Sequence, residues 1–213
     1  MIENATGIIL RTRPLTETSL IVNWLTPNLG RIATVAKGAR RARSPFAGKL
    51  DLFYTAEFSF RRSRVSELHQ LREVKLLQTR RQIRDDMAKL QQAAYASAWL
   101  ELTTETQTPL PEIFQLVQGF LETLAHHPPS TQNIFTLELS LLREFGLEPD
   151  WPATRLTAGT QKIAVALVTG DWENAQRLKL SEAQANELGL FLQNYLTTHF
   201  GRIPRGRLMA LSG

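Results

Sequence analysis

Apolar and polar positions alternate in short runs through the first part of the chain and then change to a helical period. TGIILRTR, TSLIVNWL, RIATVA, LFYTAEFSF and, less regularly, VSELHQLREVKLL read as four or five strands. In the fourth run Tyr54, Ala56, Phe58 and Phe60 share one face, opposite Phe53, Thr55, Glu57 and Ser59. Pro27-Asn28-Leu29-Gly30 supplies turn residues between the second and third runs, which predicts a hairpin. No helix long enough for a parallel crossover separates these strands. The pattern predicts a small antiparallel barrel or sandwich over residues 1–80.

From Asp85 onward the spacing is helical. Met87, Leu90, Ala94 and Ala98 form one predicted stripe, with Asp85-Asp86 at the positive end of the helix dipole. A second helix starts at Pro111 and buries Ile113, Phe114, Val117, Phe120, Leu121 and Leu124. A third follows Ser130, carries Leu137, Leu141, Leu142 and Phe145, and stops at Gly146. Residues 147–180 are weakly patterned, with short helices expected through Gln161–Val168 and after Asp171. Ser181-Glu182-Ala183-Gln184 is a capping box opening a last helix with Leu188, Phe191, Leu192, Tyr195 and Leu196 as its stripe, up to Gly201. Residues 81–213 therefore read as an all-α domain, and the fold class as β + α in two domains.

Composition sharpens this division. The 213 residues, 43% hydrophobic and 21% charged, describe an ordinary globular chain that buries roughly 70% of its unfolded surface. There is no cysteine, hence no disulfide and no thiolate metal site. The chain lacks a long apolar run and a signal-like N-terminus, so the expectation is a cytoplasmic protein that contacts no membrane. The net charge of +5 conceals two opposite halves. Residues 1–84 hold sixteen Lys/Arg against six Asp/Glu; residues 85–201 are at −8, and Arg202, Arg205 and Arg207 follow.

The positive charge is concentrated between strands. Lys37-Gly38-Ala39-Arg40-Arg41-Ala42-Arg43 reads as an exposed, mobile basic loop, and Arg61-Arg62-Ser63-Arg64 occupies the next connection. Arg31 and Lys49 lie between them. Loops flanking one barrel strand are expected to converge on a single groove, a cationic track for phosphates. Trp24, Phe46, Phe53, Tyr54, Phe58 and Phe60 interleave with this charge; such rings either stack bases or fill the barrel. Arg202, Arg205 and Arg207 either extend the track or favour a helix dipole.

Catalytic signatures are absent: no phosphate-binding glycine loop, nucleophile elbow or H-E-x-x-H occurs. His126-His127, followed by Pro128-Pro129, reads as a loop between helices rather than a metal site. Asp85-Asp86 reads as a helix start.

The segments GIILRTRPLTETSL, GRIATVAKGARR, SPFAGKLDLF and the later F-x-L-E-L-x-L-L-x-x-F-G together resemble the RecO family of bacterial DNA repair proteins. The resemblance implies an N-terminal oligonucleotide-binding (OB) fold and a helical C-terminal domain. It implies a recombination mediator that binds single- and double-stranded DNA and anneals complementary strands. Its implied partners are the C-terminal tail of single-stranded DNA-binding protein (SSB) and RecR, with which it loads RecA. The family's basic loop falls on Lys37, Arg40, Arg41 and Arg43; Arg61, Arg62 and Arg64 extend it by charge alone. Many members carry a four-cysteine zinc site where residues 147–180 have none, so no metal or other cofactor is expected here. A basic pair that helps hold the SSB tail in relatives is replaced by Phe135 and Thr136.

Two other readings stay open on sequence alone. The basic half could dock an acidic protein tail and meet DNA only through that partner. A metal-dependent nuclease would use Asp85, Asp86 and a further carboxylate such as Glu101, without the ligand spacing such a centre needs.

Overall fold

A computed structural model describes residues 1–212. The chain divides into two compact units, one of Met1–Arg81 with Thr104–Gln118, the other of Gln82–Thr103 with Gly119–Gly213. The first unit is built on five strands: β1 (Ile2–Pro14), β2 (Leu20–Thr26), β3 (Gly30–Ala36), β4 (Thr55–Arg61) and β5 (Leu68–Gln78). β2 and β3 form the expected hairpin, in register from Leu20↔Ala36 to Thr26↔Gly30.

The pairings run β1-β2-β3-β5-β4, and β4 returns to β1. The sequence pattern predicted a wholly antiparallel sheet, and this closed ring departs from it. Strand directions cannot alternate all the way around a ring of five, so one seam must be parallel. It falls between β3 and β5, at Ala33↔Leu68, Thr34↔His69 and Val35↔Gln70. Inside, Ile9, Val22, Trp24, Ile32, Phe58, Phe60, Leu71 and Val74 form a continuous apolar cluster, with Trp24 stacked on Phe58 at 4.0 Å between ring centres. The period-two face of β4 is thus the barrel face, as expected.

Residues 104–118 belong to this unit despite their place in the chain. Gln107 donates its backbone N–H to the Arg31 carbonyl, and Leu110 donates to that of Pro27. Gly30 makes this approach possible. Its φ is +61°, and an added Cβ would lie 1.8 Å from the Thr108 carbonyl oxygen.

The helices are α1 (Arg81–Arg84), α2 (Met87–Thr103), α3 (Pro111–His126), α4 (Thr131–Glu144), α5 (Ala158–Thr169), α6 (Trp172–Arg177), α7 (Glu182–Phe200) and α8 (Arg207–Leu211), with a 3-10 turn at Trp151–Ala153. The second unit takes its helical residues from α1 beyond Arg81, α2, the end of α3 and α4 onward. Asp86 caps α2, its Oδ1 accepting from the N–H groups of Ala88 and Lys89. The capping box of α7 forms through Ser181 and Gln184, and Gly201 ends that helix at φ 74°.

The predicted stripe of α2 is not its buried face: Met87 is 68% exposed and Ala94 is exposed too. Gln92, Ala93, Tyr95, Ala96, Trp99 and Leu100 face inward instead. The reason is a buried amide, since Gln92 donates to the carbonyls of Ser130 and Ala210 and accepts from Asn133. A polar residue that satisfies buried backbone groups turns the helix away from its weak Met/Ala periodicity. His126 also departs from the loop reading: it closes α3, 3.7 Å from the Glu122 carboxylate.

Candidate nucleic-acid interface

β3 ends at Ala36, and the chain continues through consecutive tight turns. Gly38 takes φ +71°, Arg41 donates its N–H to the Gly38 carbonyl and Ser44 donates to that of Arg41. Phe46, 7% exposed, roots the segment in the barrel core. The basic segment is therefore pinned at both ends with its side chains outward. Lys37, Arg40, Arg41 and Arg43 are exposed, and among the described residues none of the four pairs with a carboxylate.

Arg40 plays a different part from its neighbours. Its backbone N–H donates to the Thr18 carbonyl at 3.0 Å, and its Nη1 donates to the Thr16 carbonyl at 3.0 Å. It ties the basic turns to the connection between β1 and β2. Lys37 and Arg41 line a pocket of about 380 Å³ there, with Leu15, Thr16, Thr18, Ser19, Val35 and Gly38. The hydroxyl-bearing Thr16, Thr18 and Ser19 were not singled out by the sequence reading. The signal was the polar run Thr16-Glu17-Thr18-Ser19 between two apolar strands.

The second cluster is elsewhere. Because β5 runs parallel to β3 and enters beside Ala33, the Arg62–Glu67 connection lies toward the start of β3, whereas Lys37–Arg43 leaves its end. Arg61, at the end of β4, is in register with Gln70, which is in register with Val35, so it stands two strand spacings, about 10 Å, from the end of β3. None of Arg61, Arg62 and Arg64 lines the pocket of Lys37 and Arg41. Arg62 is also committed: its Nε and Nη2 donate to the two carboxylate oxygens of Glu3 at 2.7 and 2.8 Å, and its Nη1 donates to Gln107 Oε1. The Arg62 hydrogen bonds hold the Glu3 carboxyl below its ordinary range. Arg31 donates through Nε and Nη2 to the hydroxyl and carbonyl of Thr104. Arg61 and Arg64 are exposed beside them.

Lys49 lines an open groove of about 730 Å³ with Arg72 and Lys75, but Glu57 and Glu73 line it too, and Lys75 pairs with Glu57 at 3.0 Å. That groove is mixed in charge rather than a cationic track. The six interleaved aromatics are all buried, from Trp24 and Phe60 at 0% to Tyr54 at 8% exposure. All but Phe53 belong to the apolar cluster of the barrel, and none of the six offers a face for a base.

In the second unit, Arg202 and Arg205 are exposed, but Arg207 is 7% exposed. Its Nε and Nη2 donate to both carboxylate oxygens of Glu138, which is fully buried, and the Tyr95 hydroxyl donates to the same carboxylate. Burial, then the Glu138 charge, pushes the Tyr95 phenol far above its ordinary range, so it stays a donor. Arg207 is thus a core ion pair, apart from the exposed terminal cations. Phe135 and Thr136 are buried as well.

A four-thiolate zinc site does not fit residues 147–180, which hold no cysteine. Side chains do the holding there. Glu187 accepts from the Thr157 N–H and from the hydroxyls of Thr157 and Thr160, and Arg143 donates to the Val168 carbonyl. Trp172 packs beside Phe120, where Gly119 leaves room for its indole. Among the described residues no cluster of His, Asp and Glu has metal-holding geometry, and no helix is long and apolar enough to cross a membrane.

A five-stranded N-terminal sheet followed by helices, with exposed cations at one end of β3, defines a two-part β + α protein. The family model for the recombination protein O N terminal matches residues 1–80, and that for the recombination protein O C terminal matches residues 84–154. The chain belongs to the recombination protein O family. It is 32% identical over 143 residues to the DNA repair protein RecO of Rhodopirellula baltica, covering 67% of this chain and 53% of that protein. It is 30% identical over 144 residues to that of Anaeromyxobacter sp. strain K, covering 68% and 57%. For Bacillus subtilis strain 168 the figures are 29% over 150 residues, 70% and 58%. The matched region spans little more than half the length of these curated relatives.

Proposed function

We propose that the protein is a DNA-binding recombination mediator whose first unit is an OB-fold barrel. The observation that carries this reading is the set Lys37, Arg40, Arg41 and Arg43, exposed on pinned turns and free of carboxylate partners, in a member of the recombination protein O family. A five-stranded closed barrel of this size is the architecture of oligonucleotide-binding modules. The cations neutralise phosphates of single- or double-stranded DNA and release counterions, which lowers the repulsion between two strands approaching to pair. No covalent chemistry is required. With every ring of the barrel buried, the bases stay unstacked from protein and available to a complementary strand.

On this reading the protein acts in the bacterial cytoplasm, anneals strands and works with RecR to load RecA on SSB-coated DNA. The acidic helical unit is the platform for protein partners. Annealing of complementary strands coated with SSB, with and without the SSB tail, tests it. Acceleration that depends on the tail is the expected result. No binding to bare oligonucleotides at low salt would instead favour a barrel that docks an acidic protein tail.

A further inference from the structure

We infer that the pocket between the β1–β2 connection and the basic turns is a seat for one backbone phosphate, with Thr18 and Ser19 as hydrogen-bond donors alongside Lys37 and Arg41. The inference rests on the DNA-binding reading and gives that surface a defined contact point.

The argument starts from what lines the pocket. Two cations, Lys37 and Arg41, stand with three hydroxyls, and no carboxylate lines it. A phosphate offers only acceptor oxygens, which the two cations and the hydroxyl donors can meet with no carboxylate in the lining to repel them. The hydroxyl of Thr16 already accepts from the N–H groups of Thr18 and Ser19, at 3.3 and 3.1 Å, which shapes the connection from within. Among the described residues, those of Thr18 and Ser19 make no hydrogen bond. They are the donors left for a ligand.

The surroundings favour a phosphate within a chain. Arg40 braces the pocket by bridging to Thr16 and Thr18, which makes it a positioning residue. Arg13, exposed on β1, is in register with Ile21, which is in register with Val35 of the pocket wall. Two strand spacings put Arg13 about 10 Å from that wall, within reach of a neighbouring phosphate. A strand seated in the pocket therefore meets a further cation, Arg13, along the outer face of β2 and β1.

The test uses the full chain and a short fluorescein-labelled thymidine oligonucleotide, titrated across a range of salt. Thr18→Val combined with Ser19→Ala removes hydroxyls and no charge, so affinity is expected to fall about threefold to tenfold with the salt slope unchanged. Thr18→Ser alone, which keeps both hydroxyls, should bind like the unchanged protein. Lys37→Gln and Arg41→Gln should each flatten the log–log slope by roughly 0.7. If the hydroxyl variants bind like the unchanged protein while the charge variants do not, the phosphate seat is wrong and the cationic surface stands. If the unchanged protein binds no oligonucleotide at low salt, the DNA reading itself fails and takes the seat with it. Matching thermal melts keep misfolding out of the comparison.

Discussion

Arg80 donates from Nη1 to the Phe53 carbonyl at 3.0 Å, and both residues hold φ in the left-handed region, at 42° and 63°. Neither is glycine, so each conformation carries a cost of order 1–3 kcal/mol that surrounding contacts must offset. Arg80 is 3% exposed and donates further to Thr55 Oγ1 and Gln78 Oε1. Phe53 in turn exchanges backbone hydrogen bonds with the Ile9 strand through its own N–H and Tyr54. The link fastens the end of β5 to the entry of β4. Arg80→Ala should destabilise the protein by roughly 2–3 kcal/mol by leaving the Phe53 carbonyl and Thr55 hydroxyl buried and unpaired. Denaturant melts followed by the fluorescence of the buried barrel Trp24 would register it.

The Glu138–Arg207 pair gives a sharper contrast between single and double variants. Glu138→Leu alone leaves the Arg207 guanidinium buried without its carboxylate and should cost about 3–5 kcal/mol. Adding Arg207→Met removes the stranded charge and should recover most of that loss. Additive losses in the double variant would show that the two side chains act independently, contrary to the geometry.

His69 makes the barrel acid-sensitive. It is 2% exposed, stacked on Phe60 at 5.3 Å, and its Nδ1 accepts from the Ser63 N–H while Nε2 has no hydrogen-bond partner among the described residues. Burial first, and the Arg62 charge second, lower its pKa below the ordinary value. The unfolded chain therefore binds a proton that the folded one refuses, and stability falls as pH drops below the ordinary histidine range, about 6.5. His69→Gln should flatten that part of the stability profile; equal slopes with and without the imidazole would contradict the assignment.

The two basic clusters should respond differently to charge removal. Arg62→Gln takes away a guanidinium already spent on Glu3 and is expected to leave the salt dependence of DNA binding almost unchanged. Lys37→Gln should flatten it. A larger effect from Arg62 would move the DNA to the second basic cluster.

Chelation offers a check on the helical unit. Hydrogen bonds of Glu187 and Arg143 and the packing of Trp172 hold the cysteine-free stretch 147–180, so EDTA should leave Tm unchanged. One equivalent of zinc by metal analysis, lost together with a drop in Tm, would refute this.

Local signals in the sequence carried well into the structure. The β2–β3 hairpin follows from Pro27–Gly30, and the start of α7 from Ser181 and Gln184, because turn and cap chemistry is settled within a few residues. The exposure of Lys37–Arg43 was legible for the same reason. What was hidden is which cations are already engaged. Arg62 meets Glu3 across 59 positions, Arg207 meets Glu138 across 69, and Arg31 meets Thr104 across 73. Glu138 left a trace as a single carboxylate inside the leucine-rich Phe135–Leu142 run, but its partner did not. The placement of the second basic cluster was hidden too, because it depends on the direction in which β5 joins β3.

The parallel seam has a consequence for how the barrel moves. It joins β3 to β5 through three residue pairs, against seven for β2 and β3, and its partners are some 35 positions apart in the chain. Such a contact closes late in folding because its loop entropy is met before its hydrogen bonds form. It also opens at lower free energy than the other pairings. Amide protons at Ala33–Val35 and Leu68–Gln70 should exchange with solvent sooner than those of the β2–β3 hairpin. The barrel is then a ring with a clasp, and the clasp lies beside the strand that carries the basic turns.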